Sequence, residues 1–118
     1  MKFAYRKQQV EKELLKRIGQ IVRFDMKDPS ISSLVTVTRV ETSNDLKSAR
    51  VFVSVLGDET LMKLSLKSLN RARLWVRNRL AGMFRSRVIP HLRFEPDRTL
   101  RNVFKVESIL NELEKESE

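Results

Sequence analysis

The chain has 118 residues, enough for one domain with a single modest core. Lys and Arg number 24 against 15 Asp and Glu, a net charge of +9 that points to a polyanionic partner, although a surface rich in Lys, Arg and Glu also serves heat adaptation. The absence of Cys excludes disulfides, thiolate metal sites and a cysteine nucleophile; no apolar run approaches the roughly 18 residues of a membrane span, and charges recurring from Lys2 to Lys16 leave no signal-peptide segment, so the cytoplasm is the expected compartment.

From Tyr5 to Met26, Val10, Leu14, Ile18, Ile21 and Val22 recur at three- and four-residue steps, the spacing of one helix face. Lys12, Lys16 and Arg23 fall together on one flank of that stripe as a basic ridge. Asp28-Pro29 should stop the helix, because proline disfavours helical geometry at the residue before it and brings no N–H; the Ser-rich turn 30–33 follows. Leu34 to Glu41 and Ala49 to Leu56 are rich in β-branched residues, and the polar stretch 42–48 between them reads as the turn of a β-hairpin. In the second strand Ala49, Val51, Val53 and Val55 share one face and Arg50, Phe52 and Ser54 the other, so one face should pack on helices and the other face outward.

Gly57 and Asp58 end that strand, and the Asp58 carboxylate is placed to cap a helical stretch from Glu59 to about Arg87. Leu69, Ala72, Val76, Leu80 and Met83 make one stripe, which Leu61, Met62 and Leu66 fit less well, so a bend is expected between Ser68 and Leu74. Pro90 marks the exit, Leu92 to Phe94 is a short strand candidate, and Pro96-Asp97 turns into a last amphipathic helix carrying Val103, Val106, Leu110 and Leu113, with residues 114–118 fraying. Helix, strand, strand, bent helix, strand and helix make an α+β sandwich with the helices on one face of a three-stranded sheet.

Arg71, Arg73, Arg77, Arg79, Arg85 and Arg87 put six arginines in seventeen residues, and the planar guanidinium fork suits phosphate. On an ideal helix Arg71, Arg77 and Arg85 point away from the apolar stripe, while Arg79 and Arg87 lie beside or within it. Trp75 also projects outward, where an indole among arginines could stack on a base; equally, the C-terminal helix could cover it. Residues 95–118 reverse the balance, with 4 basic against 7 acidic side chains, so the tail should avoid phosphate. Catalysis finds no support: the single His91 lies six residues from Asp97, more in keeping with a turn and its cap than with a dyad, and Gly19, Gly57 and Gly82 form no phosphate loop. No cofactor, metal or small-molecule substrate is expected.

Asp28-Pro29, the run Val35 to Ser43 (VTVTRVETS), Asp45-Leu46, Ala49 to Gly57 (ARVFVSVLG), Ala72 to Leu80 around Arg77, and Arg87 to Asp97 (RVIPHLRFEPD) resemble the ribosome-binding factor A family over nearly the whole chain. The resemblance implies a single-domain type II KH-like fold, α-β-β-α-(kink)-α-β plus a C-terminal helix, with an RNA-binding domain over 1–98 and an amphipathic helix and acidic tail over 99–118. It implies a non-enzymatic assembly factor that binds the immature small ribosomal subunit and its rRNA, assists maturation including 5′-end processing, and serves cold adaptation; a monomer is the simplest expectation. Carried over, the RNA-contacting residues are Arg71, Arg73, Arg77, Arg79 and Arg85, with Lys12 and Lys16 helping, while Asp28, Pro29 and Asp45 are structural.

One position departs from the pattern. The family's Ala-x-Gly kink reads Ala72-Arg73-Leu74 here, so the bend cannot use positive φ at residue 74 and should be shallower or displaced toward Ser68 to Asn70. The alternative function is a protein–protein adaptor that recruits another factor to ribosomal particles through the sheet face around Phe52 or the acidic C-terminal helix.

Overall fold

The computed structural model describes residues 2–26, 35–84 and 89–98. In chain order these form α1 (Lys2–Gln20) running into a π-helical turn (Ile21–Asp25), β1 (Val35–Thr42), β2 (Ser48–Val55), α2 (Glu59–Arg71), α3 (Arg73–Met83) and β3 (His91–Pro96). The sheet order is β1-β2-β3, with β1 antiparallel and β3 parallel to β2. A parallel neighbour requires a crossover, which α2 and α3 supply. The expected α+β architecture is present; Asp28-Pro29, the turn 30–33, Leu34, Arg85, Arg87 and the C-terminal helix and tail at 99–118 lie outside the described residues.

The α1 stripe buries Leu14, Ile18, Ile21 and Val22, with Val10 and Leu15 half-buried beside them. Its last turn widens so that the Met26 N–H donates to the Ile21 carbonyl five residues back (3.0 Å), and Met26 itself is already extended. The helical path thus ends at Asp25, before Asp28-Pro29. Glu11 fastens α1 to the end of β1: its carboxylate accepts from the Thr42 N–H (2.6 Å) and hydroxyl (3.2 Å).

Both hairpin strands are shifted by one residue from the expected bounds, and β3 extends to six residues. Between Val37 and Arg39 the pairing slips, leaving Thr38 as the extra residue of a β-bulge. The bulge switches the inward face from Val35 and Val37 to Val40 and Thr42, so valines at both odd and even positions meet the helices. At the turn, the Asp45 carboxylate accepts from the Ser43 hydroxyl (2.6 Å) and the Lys47 N–H (3.1 Å). These bonds hold Leu46 at φ 60°, a left-handed conformation costing a leucine roughly 1–2 kcal/mol.

Ala49, Val51, Val53 and Val55 face the core, as their alternation implies. Phe52 does not face solvent as expected: it is only 6% exposed, because the guanidiniums of Arg39 (4.1 Å from the ring centroid) and Arg50 (5.0 Å) roof it. Around them Glu41 pairs with Arg39 and Arg50, and Glu95 with Arg50 and Arg93. Asp97, 5% exposed, reaches across β2 to accept from Thr38 Oγ1 at 2.5 Å.

Asp58 caps α2 through the Leu61 N–H (2.9 Å). α2 buries Met62, Ser65 and Leu69, and α3 buries Val76 and Leu80; Met83, expected in the stripe, is exposed. Ser65 in a core position explains why the apolar pattern seems to change phase there. The helices break at Ala72 (φ −91°, ψ 3°), and not at Ser68 to Asn70; Leu74 lies within α3. Ala72 sits in the bridge region, which alanine tolerates, so the break needs no glycine. Just before it, Asn70 grips the outer edge of β3: Nδ2 donates to the Phe94 carbonyl (3.0 Å) and Oδ1 accepts from the Phe94 N–H (2.9 Å).

Candidate nucleic-acid interface

Between Glu59 and Glu95 the chain has nine Lys and Arg and no Asp or Glu. Core positions 62, 65, 69, 76 and 80 claim one side of α2 and α3, and helical periodicity then dictates where the cations go. Lys63, Lys67 and Arg71 on α2 and Trp75, Arg79 and Met83 on α3, each four residues on from the last, are all exposed and form a ridge that winds along each helix, with the break at Ala72 between them. Lys63 and Lys67 escape a reading that looks for arginine clusters, but their four-residue spacing from Arg71 was available in the sequence.

Arg73 and Arg77 stand on the other flank. With Arg50, His91, Arg93 and Glu95 they line a groove of about 680 Å³ between α3 and the edge of β3, and Leu74 borders it. Arg73 is exposed. Arg77 is half-buried, and its Nε and Nη2 donate to the Ile89 carbonyl (3.2 and 3.1 Å), which fixes the entry to β3 and leaves fewer donors for a ligand. Arg50 carries a pKa raised above the usual guanidinium value, chiefly by its hydrogen bond to Glu95.

Arg79 is shared between two partners: its Nε pairs with Asp25 (3.0 Å) and its guanidinium lies over Trp75 (5.1 Å). Trp75 is 42% exposed, so the outward projection inferred from the helical wheel is observed. Lys12 and Lys16 are exposed on α1 and line grooves of about 430 and 630 Å³ between α1 and β1. Since α1 packs on β1 whereas α2 and α3 pack on β3, at the opposite side of the sheet, the predicted cations occupy two flanks of the helical layer and not one patch. Arg85 lies outside the described residues.

His91 and Asp97 cannot act together, because six residues of extended chain separate them by about 20 Å, and Asp97 is spoken for by Thr38. Among the described residues no three His, Asp or Glu side chains gather to hold a metal, and no helix is long and apolar enough to cross a membrane.

The family model described as ribosome-binding factor A matches residues 6–110. The chain belongs to that family. Curated members include the ribosome-binding factor A of Syntrophomonas wolfei, 33% identical over 95% of this chain and 93% of its own length, and that of Clostridium tetani, 32% identical over 97% and 93%. Solved structures agree: the Thermus thermophilus crystal structure superposes with TM-score 0.69 at 29% identity, covering 78% of this chain and 96% of that one. The solution structure of a Thermotoga maritima putative ribosome binding factor A gives 0.69 at 36%, covering 78% and 87%. A Thermus thermophilus homology model fitted into the cryo-EM map of a complex with the 30S particle gives 0.63 at 29%, covering 76% and 93%. Three helices on a mixed three-stranded sheet are therefore a shared ribosome-binding factor A architecture, and this chain builds its helix break within it without glycine at residue 74.

Proposed function

We propose that this chain is a non-enzymatic assembly factor that binds the RNA of the immature small ribosomal subunit and assists its maturation, including processing of the rRNA 5′ end. The observation that carries the reading is the acid-free stretch 60–94, whose described residues present exposed Lys63, Lys67 and Arg71 on α2, Arg79 on α3, and a groove holding Arg73. The names of its relatives and the 30S complex of the Thermus thermophilus protein support the same partner. Contacts assigned to Arg71, Arg73 and Arg79, with Lys12 and Lys16 at the α1 flank, suit a folded RNA held by shape and phosphate charge; Arg77 acts mainly by positioning β3, and Arg85 completes the family-derived set. The protein works as a cytoplasmic monomer with a KH-like core over residues 1–98.

The adaptor alternative is the weaker one at the sheet face, because Phe52, its best apolar anchor there, is covered by Arg39 and Arg50. Density-gradient sedimentation with mature and immature small subunits, at low and moderate salt, tests the proposal. Preferential, salt-sensitive binding to immature particles is expected, and Lys67→Ala, Arg71→Ala and Arg73→Ala together should lower the slope of log K against log salt by roughly 2. Salt-insensitive binding that survives the triple substitution would refute it.

A further inference from the structure

The ridge contains the chain's single tryptophan, held in a way the phosphate reading does not require. Large aromatics are mostly covered, yet Trp75 is 42% exposed one turn beyond the helix break. Arg79 follows it by one turn, about 6 Å along the axis of α3, and Arg71 closes α2 just before the break. Arg79 lays its guanidinium over the ring with Cζ 5.1 Å from the centroid, and Asp25, carried to this spot by the π-helical turn that ends α1, holds Arg79 at 3.0 Å. Two elements, α3 and the π-helical turn, thus fix the geometry of one exposed indole. Arg71, Arg79 and Asn78 are the exposed polar residues nearest to it in helical spacing, with the apolar Leu74 and Met83 on the same helix, a mixture that suits a flat π-ligand attached to negative charge.

We propose that Trp75 is a stacking platform for an unpaired nucleobase of the bound RNA, with Arg71 receiving a neighbouring phosphate. This rests on the RNA-binding reading above and adds a base-contacting site to what is otherwise a charge-and-shape interface. Arg79 is the positioning residue: its stacked guanidinium fixes the ring's attitude, and Asp25 fixes Arg79.

Because Trp75 is the one tryptophan, indole fluorescence excited to the red of the tyrosine band reports on this site alone. The probes are a fluorescein-labelled oligoadenylate of about ten nucleotides, the length scale of a single-strand site, and an abasic oligomer with the same number of phosphates. The oligoadenylate should quench Trp75 in step with the rise in anisotropy, and the abasic oligomer should bind more weakly without quenching. Trp75→Ala should weaken oligoadenylate binding roughly five- to a hundredfold, while Trp75→Phe keeps most of it; both should still unfold in one cooperative transition, which separates loss of stacking from loss of fold. Oligoadenylate binding with neither quenching nor sensitivity to Trp75→Ala would overturn the stacking site and leave RNA binding standing. Equal quenching by the abasic oligomer or by polyglutamate would overturn it as well, assigning the surface to charge alone. Failure of every RNA probe and of small-subunit particles to bind would overturn the RNA-binding reading and this inference with it.

Discussion

Asn70→Ala tests how the helix break is tied to the sheet. The Asn70 amide makes both hydrogen bonds that a neighbouring strand would make with Phe94, at 3.0 and 2.9 Å, in a half-buried setting. Each bond contributes about 1 kcal/mol net, and stranding a peptide N–H and carbonyl costs more where water enters poorly, so a loss of about 2–4 kcal/mol is expected. With a urea m-value of about 2 kcal/mol/M, the unfolding midpoint should fall by about 1–2 M. Asn70→Asp offers a sharper control. The new carboxylate still accepts from the Phe94 N–H but opposes one oxygen to the Phe94 carbonyl, which only its protonated form relieves. Its pKa is then raised in the folded state, so this variant's stability should be best at acid pH and decline as pH rises through that raised value. An Asn70→Ala variant within about 0.5 kcal/mol of the parent, or unchanged hydrogen exchange at the Phe94 amide, would show that the pairing does not hold the edge.

Leu74→Gly should cost about 1 kcal/mol of helix stability and leave the break and RNA affinity unchanged, because Ala72 bends the chain without positive φ; urea unfolding and the salt slope check this, and a stabilised variant would refute it. The Asp45 carboxyl has a pKa below the usual range, first through the Ser43 hydroxyl and then the Lys47 N–H. Its contribution is complete above the unfolded-state value of about 4 and lost as pH falls through the lower folded value, so Asp45→Asn should lower stability at neutral pH, flatten the acid limb below about pH 4, and converge on the parent at the acid end. Melting curves between about pH 2 and 6 decide it.

The helices up to α3 and the hairpin were legible because each is encoded locally: Leu14, Ile18 and Ile21 mark a period near 3.6, and Val51, Val53 and Val55 a period of 2. The bulge was also written in the strand, where Val35 and Val37 are followed by Arg39 and the next valine falls at the even position Val40, but only pairing with β2 reveals an extra residue. What stayed hidden depends on residues distant in sequence. Nothing near Ile21 announces a π turn; Phe52 looks exposed until Arg39 is brought over it from the neighbouring strand; Ser65 looks like a surface residue until α2 is docked. The same holds for the interface. The arginine density of 71–79 was visible, but Arg77 is drawn to Ile89, Arg79 to Asp25 and Trp75, and Arg50 and Arg93 join Arg73 only because β2 and β3 lie side by side.

The outer sheet face gives the molecule a direction. Its three arginines, Arg39, Arg50 and Arg93, are matched there by Glu41, Glu95 and Asp97, so among the described residues the positive excess sits chiefly on the helical side. A body charged on one side and neutral on the other carries a large electric dipole, and in the field of a polyanion it turns helices first before any contact forms. Encounter is then a search over fewer orientations, and its speed depends on where the charges sit and not only on how many there are. Two chains with the same net charge, one with its cations moved to the back of the sheet, would meet the same RNA at different rates.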